Sequence, residues 1–284
     1  MSLLNRLLHA VDRWQQRHTL SAIVFAVIKK NGEDQAGNQS ALLTYFGFLS
    51  LFPLLLVLTT LLQIVFKNES HLKTQILASL NTYFPIIGSQ LQVHVHSLRK
   101  TGVALAIGIL LTLYGAKGVA DAFRNCVNTL WHVPTTERDD FVHSLAKSFG
   151  IIFIGGFGFI LAAISAGYAT SSGHNYVFRL LFTGVNLVIL FSSFVAIIKL
   201  AYAKKIRMRK LWIGAAVAAV GILIAQSIGG YVLLHEVKNL STLYSTFAVV
   251  LGLVFWLYIQ MEIVVWALQI DTVLALKKWP RSSL

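Results

Sequence analysis

Long runs without a charge dominate the chain. Ala41–Phe66 and Ser148–Gly173 each give 26 uncharged residues, Leu211–Leu234 gives 24 and Leu180–Ile198 gives 19. A helix that crosses a bilayer needs about 20 apolar residues, so each run predicts one span. Thr101–Ala116 supplies only 16, but its helical pattern continues through Lys117 towards Trp131. A last run, Asn239–Met261, is interrupted by Glu262 and resumes to Ile270. The pattern predicts an all-α fold, a polytopic membrane bundle of about six transmembrane helices. They fall near 41–66, 101–120, 148–173, 179–200, 211–234 and 243–268. Together they make a domain over 41–276, between an N-terminal segment 1–40 and a tail 277–284.

The polar stretches have patterns of their own. Leu3, Leu4, Leu7, Leu8, Val11 and Trp14 recur at helical spacing among Arg6, Arg13 and Arg17. This is an amphipathic helix, lying on the membrane surface or packed on the loops. Asn31-Gly32 and Gly37-Asn38 predict breaks before the first span. Leu20–Ile28 is too short, and begins too late, for a cleavable signal peptide. Between the first two spans, Leu72, Ile76 and Leu80, then Pro85, then Leu91, Val95 and Leu98, predict two short amphipathic helices capping the outer face, as covers for helix ends or, less readily, as a substrate gate.

Only 12% of the residues are charged, against about 25% in soluble domains. The net charge of +13 lies between the apolar runs, which favours anionic lipid headgroups over nucleic acid as the partner. With six spans and the N-terminus inside, 18 Lys and Arg fall inside and 6 outside. The basic-residue rule then puts both termini in the cytoplasm, anchored by the cluster Lys204–Lys210.

Small residues mark helix contacts where lipid competes for larger ones: Gly158, Ala162 and Ala166; Gly221, Ala225 and Gly229; Gly214 and Ala218; Ala248 and Gly252. They serve contacts within one chain or between copies, so a homo-oligomer stays open. Pro53, inside the first span, removes the bond to the Leu49 carbonyl, for which the Ser50 hydroxyl is a candidate partner. Whether the kink is static or a hinge stays open.

Polar groups at membrane depth are candidates for function. Lys117, Asp121, Arg124 and Asn128 share one helix face, which lines a cavity or is a solvated helix end. As a cavity it suits an anionic lipid or a small solute. Glu262, Trp266 and Gln269 share another face, expected at the inner interface. Asn186 and Gln226 lie within their runs and read as interhelical amide contacts, or less readily as pathway residues. The single cysteine, Cys126, excludes an internal disulfide. His94-Val-His96 lacks further converging ligands, so no metal and no cofactor is expected. No phosphate-binding loop, dinucleotide fingerprint or serine elbow is present.

The run Ala41-Leu-Leu-Thr-Tyr-Phe-Gly-Phe-Leu-Ser-Leu-Phe-Pro-Leu-Leu-Leu56 resembles the first-span signature of the YihY/BrkB family of bacterial inner-membrane proteins. Asn128-Thr-Leu-Trp131 with Val133 and Arg138, and Leu243-Tyr244 through Trp256-Leu-Tyr258, agree with it in order. Ser245 and Gln269 depart from the family pattern, where Gly and Glu are usual. The resemblance implies an inner-membrane location and suggests transport, export or envelope lipid handling; a non-transporting scaffold is the alternative. Some members carry a ribonuclease BN label. The metal ligands such chemistry needs are missing, so no enzyme activity is expected.

Overall fold

A computed structural model describes residues 19–65, 102–171, 176–236, 242–277 and 279. Residues 3–17 and 67–100, with their expected amphipathic helices and His94-Val-His96, lie outside the described residues. Within them the chain forms seven α-helices and no strand. These are α1 (Thr19–Glu33), α2 (Ala36–Val65), α3 (Gly102–Leu130), α4 (Phe141–Ser171), α5 (Tyr176–Ala201), α6 (Trp212–Glu236) and α7 (Thr242–Ala275). Short 3-10 turns lie at Thr135–Glu137 and Met208–Lys210.

Four stretches are long and apolar enough to cross a membrane: Ala106–Leu130, Phe141–Tyr168, Tyr176–Ala201 and Val250–Ala275. Trp212–Ile228 is a shorter apolar helix. Their outer faces carry large apolar side chains in the open, such as Leu110 at 67% exposure, Phe153 at 73% and Val188 at 62%. Water would penalise such a belt, but hydrocarbon does not.

Close approach at small residues sets the register. A Cβ on Gly115 would lie 2.7 Å from Ser50 Cβ, and one on Gly118 2.6 Å from a Phe46 ring carbon; α2 and α3 are therefore antiparallel. Gly150 faces Leu200 and Gly158 faces Ser193, so α4 and α5 are antiparallel. Gly214 meets Ala267 and Asp271, and Gly221 meets Ile263, giving the same relation for α6 and α7. Ala162 and Ala166 are buried against Ile189 and Leu190 of α5, so that stripe serves a contact within the chain. Further contacts join α2 to α7, α5 to α6, and α1 to α7. The main core gathers at one end of the bundle, around Phe123, Val127, Leu130, Ile198, Leu211 and Leu268. This end also carries the Lys204–Lys210 segment and is called the basic end below.

Two details differ from the sequence expectation. Asn31-Gly32 lies in the last turn of α1 and Gly37-Asn38 in the first turn of α2. The chain turns between them, at Gln35, whose φ of 47° is left-handed. The second long helix, α3, runs past Lys117 to Leu130, as its periodicity predicts, with its lower polar groups satisfied by other helices. The helix of Pro53 continues to Val65, and the Ser50 hydroxyl donates to the Gly47 carbonyl at 2.9 Å rather than to that of Leu49.

Candidate functional site

The polar face of α3 divides by depth in the protein. Lys117 and Asp121 pair with each other and stay 40% and 38% exposed. Arg124 and Asn128, one and two turns further on, are buried. Arg124 Nη2 donates to Asp139 at 3.0 Å and Nη1 to the Ser144 carbonyl at 3.0 Å. Asn128 Nδ2 donates to the carbonyls of Arg124 and Ala201, and its Oδ1 accepts the Ala203 N–H at 2.9 Å. These two side chains therefore clamp α3 to α4 and to the end of α5. Lys147 adds bonds of 2.7 and 2.8 Å to Asp139. Burial pushes the Asp139 carboxyl up, but the hydrogen bonds and charges of Lys147 and Arg124 together outweigh this and hold it below its ordinary value. Lys204 pairs with Glu137, which raises its pKa.

A second polar cluster lies on α1 and α7, and of its members only Gln269 was singled out from sequence. Lys30 is fully buried. Its ammonium pairs with Asp34 and donates to the Leu130 carbonyl at 2.9 Å. Gln269 Nε2 donates to the same Asp34 carboxylate at 3.0 Å. Gln269 is thus buried between α1 and α7. Asp271, also fully buried, accepts the Gly214 N–H at 2.7 Å. Gly214 is the third residue of α6, so the carboxylate of one helix caps the amide end of its neighbour. The i,i+4 spacing of Lys30 and Asp34 was the available signal.

The third feature is a lateral groove of about 380 Å³ between α6 and α7. Val217 and Gly221 form its α6 side; Phe255, Tyr258, Glu262 and Trp266 line the α7 side. The α7 residues recur at helical spacing, so they make one face. Trp266 Nε1 donates to Glu262 Oε1 at 2.9 Å. Glu262 Oε2 is covered and has no hydrogen-bond partner, and no ion pair reaches Glu262 among the described residues. Its neighbour Ile263 faces Gly221, nine residues along α6 from Trp212, or about 13 Å.

Asn186 on α5 and Gln226 on α6 are both buried, and neither lines this groove. Among the described residues, no three His, Cys, Asp or Glu side chains converge as a metal site.

Helices with lipid-compatible outer faces, tied together at one end by buried ion pairs, define an integral membrane helix bundle. The family described as virulence factor BrkB matches residues 27–283. The chain belongs to that family, the YihY/BrkB family. No curated protein and no solved structure matches it.

Proposed function

We propose that this protein handles lipid in the bacterial inner membrane, as a transporter or exporter of lipid or of a lipid-like solute. The observation that carries this reading is the groove between α6 and α7. It is about 380 Å³, nearly all apolar in lining, and bounded by side chains such as Phe255 that face outward. A dry, closed bundle would favour a scaffold for envelope assembly; an apolar groove open at the side suits an acyl chain. The alternation of the six long helices α2 to α7 supports six spans. Their basic end, with Lys205, Arg207, Arg209 and Lys210 exposed, is the cytoplasmic end in this reading and attracts anionic headgroups. Lys117 and Asp121 are the members of the α3 face open enough to meet one.

No reaction is assigned to the protein, and purified protein given Zn²⁺, Mn²⁺ or Co²⁺ is expected to leave tRNA precursors intact. The test of the lipid reading is the replacement Val217→Trp, which fills the groove from α6. Native mass spectrometry after detergent exchange should show phospholipid retained by the wild type and lost from this variant. Equal retention, or none in either, would favour the scaffold reading.

A further inference from the structure

Among the described residues, Glu262 is the one charged residue of the groove lining. Its Oε1 is held by Trp266, and Oε2 has no partner. A carboxylate in apolar surroundings is costly unless a cation or a proton compensates it. Among the described residues no charged group on the elements packed on α7 pairs with Glu262; Lys29 of α1 is engaged in another interaction, and Arg209 and Lys210, before the start of α6, are exposed. On α1, Lys30 pairs with Asp34. On α3, Lys117 pairs with Asp121, and Arg124 with Asp139. The described part of α6, and all of α2, carry no Lys, Arg, Asp or Glu before Glu236. Among the described residues, no countercharge therefore reaches Glu262.

We propose that the countercharge comes from the ligand, and that Glu262 receives the ammonium of an amine-bearing phospholipid whose acyl chain lies in the groove. This rests on the lipid-handling reading and names the headgroup class. Three aromatic residues, Phe255, Tyr258 and Trp266, share the α7 face with the carboxylate. The Tyr258 hydroxyl adjoins it. Aromatic faces attract ammonium groups, most strongly where water is excluded, so the carboxylate and rings suit the same cation. Oε2 is covered in the structure, so binding requires a rotation of the Glu262 side chain that turns Oε2 into the groove.

The test uses the full chain in nanodiscs containing equal phosphatidylethanolamine and phosphatidylglycerol with matched acyl chains. Lipid retained by the released protein is counted by native mass spectrometry. The wild type should prefer the ethanolamine lipid about tenfold. Glu262→Gln keeps an acceptor for Trp266 Nε1 and should bring the preference close to one. Val217→Trp should lose both lipids. If Glu262→Gln keeps the preference while Val217→Trp loses both lipids, the amine assignment fails and the groove reading stands. If Val217→Trp keeps both lipids, the two fail together. A second readout needs no variant. Dicyclohexylcarbodiimide adds to protonated carboxyls within membranes, and the ethanolamine lipid should protect Glu262 from it. Equal labelling in either lipid would mean that Glu262 carries a proton instead, which overturns the proposal.

Discussion

Lys30 Nζ, in the last turn of α1, donates at 2.9 Å to the carbonyl of Leu130, the last residue of α3. The same ammonium pairs with Asp34. One cation thus closes a helix end a hundred residues away and neutralises a carboxylate that is itself only 7% exposed. Lys30→Met leaves that carboxylate buried without its cation and leaves the terminal carbonyl of α3 without its donor. Breaking a buried pair from one side typically costs about 3–5 kcal/mol. The variant should unfold well below the wild type in a thermal melt in detergent. Lys30→Met with Asp34→Leu should recover much of the loss, since an apolar pair removes the stranded charge.

Gly214 should tolerate no side chain. A Cβ there meets both the Ala267 carbonyl oxygen and the Asp271 carboxylate, and neither can move without shifting α7. Gly214→Ala should cost about 1–3 kcal/mol through overpacking. Gly156→Ala on α4 is the comparison, because nothing lies within 4 Å of its added Cβ. Thermal melts of the two should separate clearly; equal melts would mean that α6 and α7 are not held at this distance.

Acid should loosen the joint between α3 and α4. The folded-state pKa of Asp139 lies below its ordinary 3.8 because of Lys147 and Arg124, despite the opposing effect of burial. A depressed carboxyl contributes stability that is present above the ordinary value and lost as pH falls through the folded one. Melting temperature should therefore drop as pH is lowered from about 5 through 3.8 and below. Asp139→Asn should melt lower at neutral pH and show a shallower fall in acid.

Topology can be read with introduced cysteines, because the native Cys126 is buried. Lys205→Cys lies at the basic end and Tyr176→Cys, 84% exposed as Tyr, at the start of α5 on the opposite end. A membrane-impermeant maleimide should label Tyr176→Cys in right-side-out vesicles and Lys205→Cys only in inverted ones. The reverse pattern would invert the orientation.

The helices were legible because each is a charge-free run near the length a bilayer requires. The six runs correspond to α2 through α7, and even the short second run could be extended by its periodicity past Lys117. Their ends were less legible. α3 reaches Leu130 because Arg124 and Asn128 find partners on α4 and beyond α5, and those partners are distant in sequence. Lys30, Asp34 and Asp271 escaped notice for a related reason. In sequence a Lys at a helix end looks solvated, and only the packing of α1 on α7 encloses it. The groove itself, made by two helices at a particular register, had no sequence signal beyond Gly221 and the spacing of Phe255, Glu262 and Trp266.

The most direct measurement of lipid handling is photocrosslinking in the native bilayer. A phospholipid with a diazirine in its acyl chain is supplied to membranes holding the protein, irradiated, and its adducts are mapped by mass spectrometry. Lipid held in the groove should concentrate adducts on Val217, Gly221, Phe255 and Ile259, and Val217→Trp should disperse them. Adducts spread evenly over outward residues such as Leu110, Phe153 and Val188, with no excess between α6 and α7, would contradict the account.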